Sequence, residues 1–444
     1  MFIIDDFSFS NSKTTYLTHG IHPYRAKFIP QIPKYFIEIF TRKGETILDP
    51  MCGSGTTVLE SFISCRHAIG NDLNPIAAII TKTKTTILKN EEIKYITDKI
   101  NKIFVIYEDM DVINKEKTLL LDKLREEKRS SKKINILNDK ILEQIASIRV
   151  LLRHIHGEVL SGSDNLNGVY NAFQTAFSAT IWSILENPRD LCVLSFFCKK
   201  IRKIINRSEK LKAFMLQNFN NKIPEVKVFS NDARNLPIDD NVIDLIITSP
   251  PYVNAMDYHK MHEYSLFFLD LDFDNFRKRE IGAHSRFPQN RFMLLAQYII
   301  DMQKVLIEAN RVLKKNKHLV IVVADTKIEN ETIYSDRLFT ELCEILNFEP
   351  ICVYKRKIPK YRKYINSSLG KIDEENIIIF KKVSEYGNKY MDSDAISNNF
   401  AIKKLMEIEA RIISNEELDR KEKKKKIEKI NQAIAHLMLD LRSL

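Results

Sequence analysis

The sequence predicts an α/β protein with a doubly wound, mostly parallel sheet. Short apolar runs typical of buried strands alternate with segments of helical period, first in residues 46–88 and again in residues 226–324. This alternation favours parallel strands with helices on both faces of the sheet. The last two apolar runs, 350–354 and 376–380, predict a terminal antiparallel hairpin.

The elements follow in a simple order. A short arm and a helix from Ile29 to Phe40 come first. A later helix is predicted to begin near Pro75, because proline is favoured in the first turn of a helix. Strands are predicted at residues 46–49, 68–72, 226–229, 242–248 and 318–324.

These elements define one catalytic domain, residues 1–88 and 222–383, interrupted by an insertion. The insertion, residues 89–221, is lysine-rich, has a helical period and is almost free of proline, so we expect it to be helical. The insertion, the loops that follow residues 249–252, or both are expected to recognise the molecule on which the protein acts. Residues 154–168 contain three glycines, which predict a loop. This loop is either a mobile segment that contacts the target molecule or a simple connection.

The C-terminal extension, residues 384–444, shows two apolar stripes at helical spacing, which predict two helices. Ser414 and Glu417 form a capping-box pattern between them. Helices with apolar stripes need a surface that buries the stripe. We expect them to pack on the insertion as one helical lobe, with dimer formation as the alternative.

The composition is compatible with a protein that contacts a polyanion. Lys and Arg exceed Asp and Glu by 69 − 58 = 11, which favours phosphate contact, although a lysine-rich coding bias produces the same excess. The six cysteines are scattered, and His154 and His156 have no nearby cysteine or acidic residue at metal-site spacing except Glu158, so we expect no metal and no disulfide framework. The acidic residues Asp5 and Asp6 and the absence of an apolar run of about 18 residues predict a cytoplasmic protein without a membrane span.

The stretch Ser249-Pro250-Pro251-Tyr252 follows an apolar strand and carries the most specific chemistry. These residue types suit the binding of an exocyclic amine of a nucleobase. Such an amine is a poor nucleophile, because its lone pair is delocalised into the ring. Ser249 Oγ and the Pro250 carbonyl can accept hydrogen bonds from both amino hydrogens, and the two prolines stiffen the loop without adding a competing N–H donor. Tyr252 offers a flat face on which a flipped base can stack. Alone, the motif is also compatible with a proline-rich turn.

A glycine loop lies upstream, between the first predicted strand and a helix. Gly53 and Gly55 let the backbone approach a ligand closely. Thr56 or Thr57 can cap the helix that follows.

Two aspartates end neighbouring predicted strands. Asp49 can accept from a ligand's ammonium group, and Asp72, 23 residues later, suits ribose hydroxyls. A glycine loop alone is weak evidence. In combination with the acidic strand end and the Ser-Pro-Pro-Tyr tetrad, it is strong evidence, because all these residues would lie at the carboxyl ends of strands and share one cleft.

Together these motifs resemble S-adenosylmethionine-dependent DNA amino-methyltransferases of the cytosine-N4/adenine-N6 type. The chain is particularly similar to a prokaryotic group with a His-Pro-Tyr-x-Ala-Lys-Phe segment, here residues 22–28. The resemblance covers residues 20–90 and 225–383. Met51 stands where the family has phenylalanine, which predicts that the wall of the cofactor pocket is packed differently here.

The resemblance also implies which residues bind the cofactor. Asp232 is expected to hold the adenine amino group, and Lys27 or Arg25 suits the methionine carboxylate. The full implied set is Tyr24, Lys27, Asp49, Pro50, Met51, Cys52, Gly53, Gly55, Thr56, Asp72, Leu73, Asp232, Ala233 and Ser249.

Basic residues in two places suit contact with DNA phosphates. If the last two strands pair as predicted, the turn between them opens on the catalytic side. The candidates are Arg279 and Arg286 after the tetrad, and Lys355, Arg356, Lys357 and Arg362 around that turn.

The resemblance implies direct methyl transfer to a flipped base, without a covalent enzyme intermediate. Serine at the first tetrad position goes mainly with cytosine N4 in the family, so cytosine N4 is expected and adenine N6 is the alternative. The chain has no Pro-Cys dipeptide, which argues against carbon-5 cytosine methylation. An RNA guanine-N2 or protein-glutamine methyltransferase and a non-catalytic DNA-binding subunit are further alternatives. Expected partners are double-stranded DNA and a cognate restriction endonuclease, and the protein is expected to be a monomer or a dimer.

Overall fold

A computed structural model describes residues 7–25, 27–106, 109–126, 137–162, 166–186, 192–219, 223–359, 372–387 and 390–443. The helices are α1 (Gln31–Phe40), α2 (Thr56–Ile63), α3 (Pro75–Thr85), α4 (Asn90–Ile106), α5 (Met110–Glu126), α6 (Asp139–Leu160), α7 (Asn167–Glu186), α8 (Val193–Phe219), α9 (Tyr258–Phe268), α10 (Phe273–Arg279), α11 (Arg291–Val312), α12 (Ser335–Ile345), α13 (Tyr390–Ser414) and α14 (Arg420–Ser443). The strands are β1 (Thr46–Asp49), β2 (His67–Asn71), β3 (Val226–Phe229), β4 (Ile243–Thr248), β5 (Leu313–Val323), β6 (Thr326–Ile328), β7 (Glu331–Ile333), β8 (Phe348–Lys357) and β9 (Glu374–Lys382).

Seven strands form one sheet in the order β3-β2-β1-β4-β5-β9-β8. The first five pair in parallel, while β9 is antiparallel to both β5 and β8. The predicted mostly parallel sheet with a terminal antiparallel hairpin is therefore confirmed. A second, small hairpin of β6 and β7 was not predicted, because each strand has only three residues.

Apolar side chains point to both faces of the sheet, which explains the continuous apolar runs of its central strands. In β1, Ile47 joins the apolar cluster under α1, and Leu48 joins the cluster under α11. In β4, Leu245 and Ile247 lie on the α1 side and Ile246 lies on the α11 side. Helices cover both faces, so the sheet is the middle of three layers.

The carboxyl ends of β1, β2 and β4 lie side by side, because these strands are parallel neighbours. The glycine loop leaves β1, Asp72 follows β2, and the tetrad follows β4. Strand β8 runs in the same direction as β4 and β5, so the connection from β8 to β9 opens at this same edge. The glycine loop, Asp72 and the tetrad therefore lie at the same edge of the sheet.

The described parts of the insertion consist of α4 to α8. Helix α7 packs on α3, where the hydroxyls of Thr83 and Thr175 share a hydrogen bond of 2.8 Å. The loop predicted for residues 154–168 is a shorter connection between two helices, since α6 continues to Leu160 and α7 begins at Asn167. One glycine inside a helix costs only about 1 kcal/mol, and the buried apolar stripe of α6 outweighs that cost.

The C-terminal helices pack on the catalytic domain rather than on the insertion. Leu405 of α13 and Ile430 of α14 belong to the apolar cluster that contains α11. Lys404 of α13 pairs with Glu341 of α12 at 2.6 Å. The predicted lobe with the insertion is therefore wrong. An apolar stripe predicts that a helix is covered, but not by which surface.

The capping box predicted between these two helices is also wrong. Ser414 is the last residue of α13, and its hydroxyl donates to the Arg411 carbonyl at 3.1 Å. Asp419 caps α14 instead, because its carboxylate accepts from the amides of Lys421 and Glu422 at 2.8 and 3.0 Å.

In the described ranges, no helix has the length and apolarity that crossing a membrane requires. The same part of the chain shows no group of three or more His, Cys, Asp or Glu side chains arranged to hold a metal ion.

We predict that Leu405→Ala lowers the free energy of unfolding by about 2–5 kcal/mol, the range for a leucine truncated in a packed core. Leu405 is fully buried where α13 meets the catalytic domain. Its neighbour Met406 is 55% exposed, and Met406→Ala, the control, is expected to change the same quantity by less than about 0.5 kcal/mol. Urea unfolding followed by circular dichroism measures both variants. Equal, small losses would contradict the packing of α13 on this domain.

Candidate active site

The amide of Asn71 joins the loops that form the site. Asn71 is the last residue of β2 and is fully buried. Its Nδ2 donates to the carbonyls of Pro50 and Asn231, both at 3.0 Å. The loops after β1 and β3 are thereby fixed to the end of β2. Sequence reasoning missed this residue, because an asparagine before an acidic strand end looks like an ordinary turn residue.

The loop between β1 and α2 needs glycine at two positions. Gly53 and Gly55 have φ angles of +50° and +73°, in the left-handed region that favours glycine. A Cβ on Gly55 would also lie 2.5 Å from a methyl carbon of α3. The N-terminus of α2 has no side-chain cap, so the predicted capping by Thr56 or Thr57 is wrong. Thr57 instead donates to Asp49 at 2.8 Å.

One cavity, with about 700 Å³ of empty space including the open solvent at its mouth, lies at these strand ends. Ser249 and Asp72 both line it, so the tetrad serine and the acidic strand end share one pocket. Lining residues that the sequence suggested for the cofactor are Tyr24, Pro50, Met51, Gly53, Asp72, Leu73, Asp232, Ala233 and Ser249. Suggested residues that lie outside this lining are Lys27, Asp49, Cys52, Gly55 and Thr56. Lining residues that sequence reasoning missed are Asn74, Tyr258, Phe276, Glu280 and Ile281.

The tetrad leaves β4, whose six residues are all buried. Ser249 and Pro251 line the cavity, whereas Pro250 and Tyr252 do not. The Tyr252 ring packs against the apolar core, and its hydroxyl donates to Glu375 Oε1 at 3.0 Å. Burial, followed by the charge of Glu375, raises the pKa of Tyr252 well above its ordinary value. The phenol therefore stays protonated and acts as a donor.

The sequence model of the N6/N4 DNA methylase family matches residues 5–83 and 243–435, which is more than half of the chain. The chain belongs to this DNA methylase family. The match passes over residues 84–242, which contain the insertion, and it extends into α14. It thus reaches farther than the predicted limit at residue 383. As a family member, the methylase transfers methyl groups from S-adenosylmethionine to DNA.

Two relatives span most of the methylase. The Type II methyltransferase M.MjaII of Methanocaldococcus jannaschii is 24% identical over 395 residues, covering 72% of this chain and 74% of the relative. The Type II methyltransferase M.MvaI of Kocuria varians is 24% identical over 440 residues, covering 84% and 92%. Among solved structures, an S-adenosylmethionine-dependent methyltransferase from Methanosarcina mazei aligns with a TM-score of 0.31 at 13% identity, over 79% of this chain and 98% of that one. That score is too low to add to the description of the fold.

The residues of the methylase's cavity fit the cofactor. Asp72 Oδ2 accepts from the Gly53 amide at 2.7 Å, and Oδ1 accepts from the Asn74 amide at 2.8 Å. Each oxygen keeps a lone pair with which to accept a ribose hydroxyl. Burial raises the pKa of Asp72 to about 6, so the carboxylate is ionised at neutral pH and becomes protonated as the pH falls below that value.

Asp49 lies behind the cavity wall and is 1% exposed. Its carboxylate accepts from the Thr57 hydroxyl at 2.8 Å and from the Met51 amide at 3.2 Å. Burial raises the pKa of Asp49 to about 7. This placement differs from the expected contact with a ligand's ammonium group. Asp49 connects the end of β1 to the first turn of α2.

Asp232 lines the cavity with both carboxylate oxygens already engaged. Arg234 donates to Oδ1 at 2.9 Å and to Oδ2 at 2.7 Å, and Arg279 Nη2 lies 2.9 Å from Oδ2. Burial acts to raise the pKa of Asp232, but the two guanidinium groups outweigh it and keep the pKa below its ordinary value. The expected bond to the adenine amino group therefore requires the 42% exposed Arg279 to move away. Arg279, expected at DNA phosphates, is here the partner of Asp232.

The His-Pro-Tyr segment contributes its tyrosine to the cavity. Tyr24 lines the cavity and stacks on His262 with ring centroids 4.7 Å apart. Lys27, expected at the methionine end of the cofactor, instead donates to the His19 carbonyl at 3.3 Å. The neighbouring Arg25 pairs with Glu186.

A different lysine contacts the glycine loop. Lys84 is fully buried, and its ammonium group donates to Ser54 Oγ at 3.1 Å. Burial lowers the pKa of Lys84 well below its ordinary value. Sequence reasoning missed this residue, although Lys84 lies four positions after Ile80 on the buried face of α3.

The basic residues expected at DNA are separated by strand geometry. Lys355 and Lys357 are exposed on β8, but Arg356 between them is 3% exposed. Arg356 pairs with Glu375 and donates from Nε to the Phe7 carbonyl at 2.9 Å. The expected DNA contact of Arg356 is therefore wrong in this structure. Successive side chains of a strand point to opposite faces, so three consecutive basic residues cannot share one face.

The remaining two basic candidates have different outcomes. Arg286 Nη1 lies 3.5 Å from Asp301 Oδ2, and its guanidinium group lies over the Phe287 ring. Arg362 lies outside the described residues.

We predict that cofactor affinity falls as the pH is lowered from about 7.5 to about 5, with a midpoint near the Asp72 pKa of about 6. This pKa is raised in the folded protein, so the ionised carboxylate, the better acceptor for ribose hydroxyls, is lost as the pH falls through it. Calorimetric titration with S-adenosylhomocysteine measures the affinity. Asp72→Asn keeps the shape but does not titrate, so its profile is expected to be weaker and flatter. A variant profile with the same midpoint as the wild type would count against this role.

Proposed function

We propose that the methylase transfers a methyl group to N4 of a cytosine that is flipped out of double-stranded DNA. One observation carries the proposal: Ser249, a neutral hydroxyl, lines the same cavity as Asp72 and the glycine loop. A base amine at Ser249 and a cofactor at Asp72 would therefore be neighbours. Proximity of this kind supplies much of the rate of a direct transfer.

The chain's own residues bind and orient the base amine. Ser249 Oγ and the carbonyl of Pro250, the next residue, accept hydrogen bonds from its two hydrogens, which draws the nitrogen towards sp3 geometry and frees its lone pair. Tyr252 does not line the cavity, but its side chain is only partly buried, and the accessible part of its ring is the surface on which we expect the base to stack. The sulfonium centre of S-adenosylmethionine supplies an electrophilic methyl group when bound. After transfer, the amine's proton passes to solvent, either directly or through the Ser249 hydroxyl, which releases its own proton to solvent as it accepts the new one.

The choice of cytosine rests on the chemistry of the first tetrad residue. A serine hydroxyl accepts one hydrogen bond without placing a negative charge beside the amine, whereas an aspartate adds that charge. In the family whose tetrad motif this chain resembles, serine at the first position goes mainly with methylation of cytosine N4. Methylation of adenine N6 is the second candidate, because the matching family model covers both amines.

Exposed cations at the catalytic edge support a nucleic acid as the substrate. Lys355 and Lys357 are exposed near the carboxyl end of β8, at the edge where the tetrad lies. Together with the excess of 11 positive charges, these groups favour phosphate contact. The two Type II relatives support a place in a restriction-modification system beside a nuclease of the same site specificity.

The decisive experiment expresses the methylase in a host that lacks DNA methylation. Mass spectrometry of digested DNA is expected to detect N4-methylcytosine, and single-molecule sequencing of the same DNA identifies the recognition site. N6-methyladenine instead would replace the cytosine assignment. Methylation of RNA oligonucleotides but not of duplex DNA would contradict the assignment of duplex DNA.

We predict that Ser249→Ala slows single-turnover methyl transfer by roughly a hundredfold, the order found when one positioned transition-state hydrogen bond is removed. Cofactor affinity, measured by calorimetry, is expected to stay within about twofold, because Ser249 contributes only one of the many lining side chains. Equal losses in rate and in cofactor affinity would argue for a role in binding the cofactor. Ser61→Ala is a matched control: Ser61 is a buried serine in α2 whose hydroxyl donates only within its own helix.

A further inference from the structure

A chain of three polar contacts leads from the tetrad into the protein core. Tyr252 Oη donates to Glu375 Oε1 at 3.0 Å. The other carboxylate oxygen of Glu375 pairs with Arg356. Arg356 donates in turn from Nε to the Phe7 carbonyl at 2.9 Å. Glu375 and Arg356 are directly opposite in the β8–β9 pair, so the backbone brings them together.

The two charged groups in this series of contacts, Glu375 and Arg356, are buried and compensate each other. Glu375 is 9% exposed and Arg356 is 3% exposed. A buried carboxylate without a partner is strongly unfavourable, whereas one that is paired and hydrogen-bonded is tolerated. Arg356 therefore compensates the buried Glu375 side chain and keeps this acceptor in a fixed place.

Phe7, at the other end of this series of contacts, is buried and tightly packed. Phe7 is 1% exposed, and its ring stacks on Phe36 with centroids 5.7 Å apart and an angle of 6° between the planes. The same ring lies 5.0 Å from that of Tyr354 on β8. Packed interiors transmit position because their side chains have little room to move. The acceptor offered to Tyr252 is therefore anchored to the core rather than to a surface loop.

Tyr252 is held at both ends. The two prolines before it restrict the backbone, and Glu375 binds the phenol oxygen at the other end of the side chain. With only two side-chain torsions in a tyrosine, these two restraints leave the ring little freedom to rotate. Stacking on a base depends on that orientation, since aromatic contacts favour particular relative geometries.

We propose that Glu375 and Arg356 are positioning residues for methyl transfer. They hold the Tyr252 ring in the orientation in which it stacks on the flipped base. The inference rests on the proposed function, because it assumes that Tyr252 meets the base. It assigns Arg356 to the site's geometry rather than to DNA phosphates.

Tyr252→Phe tests the inference, because it removes the phenol oxygen, which contacts both Glu375 and Ser249, and leaves the buried Glu375–Arg356 pair intact. The single-turnover rate at saturating DNA and cofactor is expected to fall roughly tenfold, as for one lost hydrogen bond to a charged group. The dissociation constant for S-adenosylhomocysteine is expected to stay unchanged. Neither a change in folding nor a change in cofactor binding produces that pattern.

Two substitutions of Glu375 separate position from charge. In Glu375→Gln the side-chain carbonyl can accept from Arg356 while the amide donates to the phenol oxygen, so the ring stays in place and the rate is expected to remain within about threefold of wild type. Glu375→Ala is expected to slow transfer as much as Tyr252→Phe does. Glu349→Ala, which removes an exposed carboxylate from the same hairpin, is the control and is expected to leave the rate unchanged.

The double variant Tyr252→Phe with Glu375→Ala decides whether the two residues act through one contact. It is expected to be no slower than either single variant, since interacting residues give non-additive effects. The inference would be overturned if the rate losses of the two single variants multiplied in the double variant. A wild-type transfer rate in Tyr252→Phe would overturn it as well. Melting temperatures are recorded for all variants, and if Glu375→Ala does not fold, the rates of Tyr252→Phe and Glu375→Gln still decide between the two outcomes.

Failure of the inference is distinguishable from failure of the proposed function. All rates are measured on whichever base amine the wild type methylates, so a result of N6-methyladenine leaves the test intact. Tyr252→Ala removes the ring itself, and full activity of that variant would refute base stacking by Tyr252. An inactive Tyr252→Ala with a fully active Tyr252→Phe would retain stacking and remove only the positioning role.

Discussion

The buried amide of Asn71 is the interaction on which the active site depends. Parallel strands bring their carboxyl ends to one edge, but they do not fix the loops that leave those ends. Asn71 does this by donating to the carbonyls of Pro50 and Asn231. The glycine loop and the loop that carries Asp232 thus share one anchor on β2. Because a buried N–H without an acceptor is unfavourable, either loop can move away only at the cost of a lost hydrogen bond.

Three aspartates at this edge differ in their surroundings, and the surroundings separate their roles. Asp49 is enclosed and braces the glycine loop, with a pKa raised by burial to about 7. Asp72 is also desolvated, but it lines the cavity and keeps lone pairs for a ligand. Asp232 is held ionised by two guanidinium groups. The residue type alone is therefore no guide to the role of an aspartate here, whereas the neighbouring donors and charges are.

The sequence predicted the parts of this molecule that are governed by local rules. Strand order along the chain, the glycine loop and the tetrad follow from apolar periodicity and from backbone restrictions at Gly53, Gly55 and the two prolines. Contacts between distant segments were not predictable. Arg279 lies 47 residues from Asp232, and Glu375 lies 123 residues from Tyr252, so no spacing rule connects them. The surface that buries α13 was likewise decided by packing, which the apolar stripe alone does not encode.

The alternation of side chains along β8 also fixes the alignment of the terminal hairpin. A slip of one residue between β8 and β9 would turn the exposed Lys355 or Lys357 towards the core and bring Arg356 to the surface, because every side chain of a strand changes face in such a slip. The pairing of Arg356 with Glu375 would be lost in the same movement. The wrong alignments of this edge strand therefore lose the contacts of Arg356 with Glu375 and with the Phe7 carbonyl. The distance between the exposed lysines and the methyl-transfer cavity is, in consequence, set by the strand itself.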